Sequence, residues 1–551
     1  MDIHSEEETA PLISKDSPGS STENNHFKGP GQKLLVTLCI LITELCERLT
    51  FYGLTGNLIL FCGSELGLQA PWPSTINYLF QGTCYLIPLF GGWLADAHLG
   101  RFNTIYGSSL LYVVGTILLA AVSIRNKMLS SWFDHDKHFA HDPTIRLVYF
   151  VISLVLIAFG TGGIKANVSP FGADQVQKDG PRAIQAFFNW FYWFINIGSL
   201  IAFTVVVGVQ QNDVFYGYVI TAGTMFLGVI AFLSGRKKYL NKPPGGSQLT
   251  DTVKIIYEAI KNRGSANAMV WLDNAKNTCG GNYTEAKVED VKILLRILPV
   301  FALFIVYWTI YSQMQSTFLI QATYMRLEFK DFTIPAASLS IFDIVAVLAF
   351  IPIMDHVVYP LIQFCGIRFT PLRRIGVGLL LAAASVVVAG LIERKRRHVW
   401  QDGGVYNQTV LDKNLEASDL NVFWQVPQFM LVGSSEVLTS ITGLELAYSQ
   451  SPQHMKGLVM GAFLVTSGLG NYVATLLVVI VRSASNEKWY PSDDPNRGEL
   501  ENFFFLLAGL MMLNFVVFLF IASSYKYKTV TRREEINSNV KDTGQSSDRD
   551  V

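Results

Sequence analysis

The sequence predicts an all-α polytopic membrane protein with twelve transmembrane helices in two six-helix bundles. Three observations predict it. Apolar runs of about 20 residues recur along the chain, the length a helix needs to cross the hydrocarbon core of a bilayer. Half of the 551 residues are hydrophobic and only 16% are charged, where a soluble protein carries about a quarter charged residues. One longer polar stretch near the middle divides the runs six and six.

Residues 1–33 form a polar, acidic tail with no apolar core of its own, so no cleavable signal peptide is expected. The first run, Leu34 to Phe61, opens an N-terminal bundle over residues 34–235, continued by runs near 74–95, 103–124, 145–169, 185–208 and 215–234. A polar connection, 236–290, contains Lys242-Pro243-Pro244-Gly245-Gly246. Runs near 291–320, 333–354, 372–392, 420–448, 456–482 and 501–524 build a C-terminal bundle over 291–525, before a polar tail, 526–551. The zero net charge gives no argument for a nucleic-acid partner; membrane lipid is the implied surroundings. Cys39, Cys46, Cys62, Cys84, Cys279 and Cys365 form neither a disulfide framework nor a zinc pattern. The polar segments hold no Gly-rich nucleotide loop, metal-ligand cluster or nucleophilic triad, so no enzyme activity and no cofactor are expected.

Orientation follows the lysines and arginines of short loops. Arg236-Lys237-Lys238, Arg368 with Arg373-Arg374, and Lys526, Lys528, Arg532 and Arg533 all fall on one side, so both termini and the central connection are expected in the cytosol. Arg394-Lys395-Arg396-Arg397 disagrees and would lie opposite. That opposite loop carries Asn407-Gln408-Thr409, a glycosylation acceptor in this topology, whereas Asn167 and Asn282 should stay unmodified. In the N-terminal tail, Glu8 stands four places before Leu12-Ile13, the form of an acidic dileucine sorting signal read by clathrin adaptors of endosomes and lysosomes.

The chemistry starts in the first run. Glu44, Glu47, Arg48, Phe51 and Tyr52 are spaced i, i+3, i+4, i+7 and i+8, so one helix face carries three charges and an aromatic continuation. Each uncompensated charge at a membrane centre costs roughly 2.5–3.5 kcal/mol. A Glu–Arg pair that only locks helices together would account for two of them; three point to a shielded cavity with a transport task. An amino acid or peptide is a zwitterion, so its pocket needs a cation and an anion. Arg48 and Lys165 are intramembrane cations of the first half, and Glu436 is an anion of the second. Glu445, nine residues on, lies on the opposite helix face at about 100° per residue and reads as a structural or gating pair.

Glu44-x-x-Glu47-Arg48-x-x-x-Tyr52 resembles the ExxER signature of the proton-coupled oligopeptide transporters, a family with the major facilitator fold. Gly91 to Arg101 resembles the family's second-to-third-helix loop. Gly162-Gly163-Ile164-Lys165 through Gln175, Phe187-Phe188-Asn189-Trp190 through Ser199, and Ser435-Glu436 through Glu445 resemble its fourth, fifth and tenth helices. Within the family, the dileucine-like tail, Phe188 to Trp193 and the lumenal sequon lean towards the peptide–histidine branch of solute carrier family 15.

The resemblance implies alternating-access symport of histidine and di- or tripeptides with protons, from an endolysosomal lumen to the cytosol. It implies that Arg48 and Lys165 bind the substrate carboxylate, that Glu436 binds its amino group, and that Glu44 and Glu47 carry the proton. Tyr52, Tyr78, Tyr85, Asn196, Trp308, Gln313 and Ser440 would complete the pocket. Two other readings stand beside it: an endolysosomal scaffold or sensor that recruits a cytosolic innate-immune signalling adaptor, and transport of nitrate or another anion, as in plant relatives. The chain also departs from the family pattern. Tyr78 stands where animal plasma-membrane members have a proton-sensing His, and Ser312 and Phe463 replace a usual Asp and Trp. Asp343 replaces a usual Asn, adding a proton site or a contact for a cationic side chain.

Overall fold

The computed structural model describes residues 30–124, 143–262, 270–330, 332–366, 369–411, 413–452, 455–490 and 494–525. Glu8, Leu12, Ile13, Arg368, Lys526, Lys528, Arg532 and Arg533 lie outside the described residues. Helical passes follow in chain order: α1 (Pro30–Thr55), α2 (Trp72–Leu94), α3 (Arg101–Val122), α4 (Pro143–Val176), α5 (Pro181–Ile201) and α6 (Val214–Ser234). After the connection come α7 (Glu285–Tyr311), α8 (Ile341–Ile353), α9 (Pro371–Gln401), α10, α11 (Lys456–Ala484) and α12 (Leu500–Ser524). Helix α10 runs Val426–Glu436, passes through a π-helical turn at Val437–Ile441, and resumes at Thr442–Gln450.

Among the described residues, nine helices are long and apolar enough to cross a membrane. The other three passes, α1, α2 and α10, bear Glu44, Glu47 and Arg48, then Tyr78 and Tyr85, then Glu436 and Ser440. Their charged and polar residues set them apart from the nine, and Glu44, Glu47 and Tyr78 among these are buried inside the protein.

Small residues set how closely the helices approach. A Cβ on Gly91 of α2 would stand 2.9 Å from the Cα of Gly163, and one on Gly198 of α5 would stand 2.7 Å from the Leu45 carbonyl oxygen of α1. A third close approach joins the two halves. Cβ atoms on Gly82 of α2 and Gly468 of α11 would come within 3.1 and 2.8 Å of each other's carbonyl oxygens. Helix α1 breaks after Thr55, where Asn57 donates to Gln210 Oε1 (2.9 Å) and Gln210 donates to the Gly53 carbonyl (2.7 Å). Those amides satisfy backbone that water cannot reach.

The two halves also meet, through polar contacts, at the end where α1 finishes and α2 begins. Ser74 and Tyr490 hydroxyls lie 2.7 Å apart, Asn77 donates to the Gln315 carbonyl (3.1 Å), and Ser338 donates to the Phe203 carbonyl (2.6 Å). Lys413 caps this seam with a 2.6 Å bond to the Gly63 carbonyl.

Three features depart from the sequence reading. The 236–290 connection contains a helix, Gln248–Lys261, because Thr252, Ile255 and Ala259 recur on one face and bury. Beyond it, Asp273 takes Lys292 and Lys276 at 2.6 and 2.9 Å, and these lysines hold its carboxyl well below the usual range. Second, α9 continues past residue 392 to Gln401, and an antiparallel hairpin, Val405–Val410 with Lys413–Asn421, follows it. Asn407 is exposed on that hairpin, whereas Asn167 is buried and donates to Gly91 and Gly163 carbonyls.

Third, two of the four cations of the dissenting basic cluster are ion-paired within the fold. Arg396 is fully buried, pairs with Glu393 at 2.6 Å, and donates to Asn496. Arg397 pairs with Glu501, and Lys395 Nζ sits 3.5 Å from the Trp424 ring centroid. Charges spent on partners inside the fold do not report orientation as free loop charges do. Replacing Arg396 with Leu strands Glu393 without its cation, and should lower stability by about 3–5 kcal/mol in denaturation of the detergent-purified protein.

Candidate functional site

The first-half charges form one cluster. Arg48 Nε pairs with Glu44 Oε1 at 2.7 Å and with Glu47 Oε2 at 3.1 Å. Glu47 also accepts a bond from the Thr161 hydroxyl of α4. The two carboxylates are 1% and 0% exposed, while Arg48 keeps 12%. Both pairs use Nε, so the terminal amino groups of the guanidinium remain the side available to a carboxylate ligand.

Lys165 reaches the same region from α4, one turn after Thr161. The Gly91–Gly163 approach draws α4 against α2, and Lys165 Nζ then lies 3.6 Å from the Phe51 ring centroid and 4.4 Å from that of Tyr85. Its buried ammonium has no hydrogen-bond partner among the described residues. Cation–π contact in a desolvated site is worth about 2 kcal/mol, less than the three hydrogen bonds an ammonium can donate. This ammonium is held in place while its donors stay available.

The second half supplies the opposite sign. Glu436 ends the first part of α10 and accepts a 3.0 Å bond from the Tyr311 hydroxyl of α7. Asp343 of α8 is 6% exposed and its Oδ1 has no hydrogen-bond partner among the described residues. A Cβ on Gly433 would come within 2.9 Å of that Oδ1, so the glycine admits the Asp343 carboxylate one turn before Glu436. Tyr52, Tyr85 and Tyr192, on α1, α2 and α5, all lie within electrostatic reach of Glu436. The anionic pole therefore faces the first half across a shared interior. The π-helical turn after Glu436 carries half-buried Ser440, and such turns recur at functional sites.

The remaining sequence-selected residues divide by position. Trp308 stacks edge-on to Tyr307 and Tyr311 at 5.2 Å, and its buried indole N–H has no partner among the described residues. Asn196 donates to the Tyr192 carbonyl of its own helix at 2.8 Å. Tyr78 and Gln313 sit in the seam between the halves: the fully buried Tyr78 hydroxyl donates to Gln313 Oε1 (2.9 Å) and also contacts Ser316. Glu445 pairs with Arg374 of α9 at 3.6 Å, away from Glu436. Sequence reasoning missed Thr161, Tyr311 and Ser435, whose hydroxyl is 3.5 Å from that of Tyr307. Thr161 stands four residues before Lys165, a spacing that shares a helix face and was the one available signal.

The chain is similar to known proteins over most of its length. The sequence model described as PTR2, POT family, matches residues 102–492. Mouse solute carrier family 15 member 3 is 32% identical over 88% of this chain and 91% of its own length. NRT1/PTR family protein 8.1 of Arabidopsis thaliana is 35% identical over 90% and 94%. Among solved structures, the POT family transporter PepTSo is 27% identical with a TM-score of 0.73, covering 90% of this chain and 99% of that one. An auto-inhibited POT family peptide transporter, also 27% identical, has a TM-score of 0.70 over 91% and 98%.

Replacing Tyr78 with Phe removes both seam contacts of its hydroxyl, about 1–2 kcal/mol. The population open at the hairpin end should rise roughly tenfold. Spin labels at exposed Gln69 and Phe332, with Cys279 and Cys365 changed to Ser, would show this as a longer distance component. An unchanged distance distribution would show that Tyr78 does not hold the seam.

Proposed function

Because the chain belongs to the POT family of proton-dependent peptide transporters, we propose that it is a symporter moving histidine and di- and tripeptides with protons, from an acidic endolysosomal lumen to the cytosol. One observation carries the reading. The cations Arg48 and Lys165 lie in one half of the molecule, and the carboxylates Glu436 and Asp343 lie in the other. A zwitterion bound between them engages Arg48 and Lys165 with its carboxylate and Glu436 with its ammonium, drawing the halves together as alternating access requires. Tyr52, Tyr85, Asn196, Trp308 and Ser440 shape the pocket.

Glu44 and Glu47 carry the proton in this reading. While both are ionised they compete with the substrate carboxylate for Arg48; protonating one frees the guanidinium. One pH unit is worth about 1.4 kcal/mol per proton. A lumen two units more acidic than the cytosol therefore drives roughly hundredfold accumulation of a neutral solute moved with one proton. The termini and the central connection are cytosolic, and Asn407 is the lumenal glycan site.

Likeness to plant proteins named NRT1/PTR supports a second reading, transport of nitrate or another small anion through Arg48 and Lys165. The two readings part at Glu436, which an ammonium needs and a simple anion does not.

Proteoliposome uptake of labelled histidine and a dipeptide, with and without an imposed pH gradient, tests both. Accumulation should follow the gradient, Glu47→Gln should remove that dependence, and Glu436→Gln should weaken dipeptide uptake roughly tenfold or more. Equal weakening of dipeptide and nitrate by Glu436→Gln would reject the ammonium assignment. Leu12→Ala with Ile13→Ala should move the protein to the cell surface through loss of clathrin-adaptor binding, as imaged by surface labelling. Unchanged lysosomal location would reject the sorting signal.

A further inference from the structure

The two poles of the site are not equivalent in charge. In the first half, two carboxylates are matched by Arg48 and Lys165. In the second half, Asp343 and Glu436 interact with each other, and the other titratable groups in reach are tyrosines: Tyr192 of α5 and Tyr307 and Tyr311 of α7 near both, with Tyr52 of α1 and Tyr85 of α2 near Glu436. Among the described residues no Lys or Arg pairs with either carboxylate. Tyr311 holds one oxygen of Glu436, and Oδ1 of Asp343 is buried and unpartnered beside Gly433.

Two neighbouring carboxylates away from water do not both stay ionised without positive charge to match them. A substrate ammonium supplies one charge, and the second must come from elsewhere. We propose that Asp343 makes this pole a two-charge site: a neutral peptide fills it with its ammonium plus one proton shared by Asp343 and Glu436, and a cationic peptide fills it with its ammonium plus its own side-chain cation. Asp343 is then the residue that sets preference for an imidazolium or ammonium side chain. The charges balance in both cases. A cationic dipeptide crosses with one proton fewer than a neutral one, and the net charge moved per turnover is the same.

This inference rests on the symporter reading above, and one experiment separates the two. Wild-type protein in proteoliposomes is given alanyl-alanine or lysyl-alanine, and proton and peptide fluxes are measured together. The expected result is one proton more per alanyl-alanine than per lysyl-alanine. Asp343→Asn should erase that difference and lower the preference for lysyl-alanine over alanyl-alanine roughly tenfold or more. Asp343→Glu, which restores the second carboxylate, should recover both. If Asp343→Asn transports neither peptide, the ratio of the two affinities is read from thermal shifts of the purified variant, with the same expected fall. Equal proton counts in the wild type, or an unchanged ratio in Asp343→Asn, overturns the role of Asp343 and leaves the symporter reading standing. Wild-type liposomes that take up neither dipeptide overturn both.

Discussion

Away from water, a charge must find a partner within the protein, and the interior of this molecule is arranged by that requirement. Arg48 is shared between Glu44 and Glu47, Glu47 takes a further bond from Thr161, and Lys165 rests on two aromatic faces. Glycines serve the same end. The Gly91–Gly163 approach brings Lys165 to Tyr85, the Gly198 approach presses α5 against the turn that bears Arg48, and Gly433 admits Asp343 beside Glu436. Lys165, Arg48 and Asp343 reach their positions where helix backbones come unusually close.

The same physics separates permanent contacts from reversible ones. Within the second half, Glu393, Arg396 and Asn496 are fully enclosed, and Arg397 with Glu501 ties α9 to α12. Breaking such a network leaves a buried charge without its partner, so it stays closed. Between the halves, apart from the Lys413 ammonium on Gly63 and the Gly82–Gly468 packing, the polar contacts named are single bonds of hydroxyls, amides and carbonyls, as between Ser74 and Tyr490 or Asn77 and Gln315. Each such hydrogen bond is worth about 1 kcal/mol net. The polar bonds of the seam are thus weaker, one by one, than the enclosed ion pairs inside the second half.

Much of the fold was legible because a helix in lipid must be about 20 apolar residues long, whatever its neighbours do. The charged face of the first run was legible for the same reason, since three charges in an apolar run are costly enough to stand out. The passes that escape a simple hydropathy test, α1, α2 and α10, are those whose polar faces point inward. The hairpin after α9 and the helix at Gln248–Lys261 were not read, because both lie in polar segments where the membrane imposes no length. The pairing of half of the basic run at 394–397 was not legible either: Arg396 meets Glu393 and the Asn496 amide, and Arg397 meets Glu501, about a hundred positions away.

What the sequence determined by itself was the inventory: the apolar runs, Glu44, Glu47 and Arg48 on one helix face, and isolated charges at Lys165, Asp343 and Glu436. These depend on residue type and on spacing within one helix. Tertiary structure alone decided the distribution. It assigned Tyr78 and Gln313 to the seam, left Lys165 on aromatic rings, and set Asp343 beside Glu436 with neither paired to a Lys or Arg among the described residues. Those outcomes turn on how closely particular backbones approach across long stretches of chain, and a pattern within one helix carries no information about that distance.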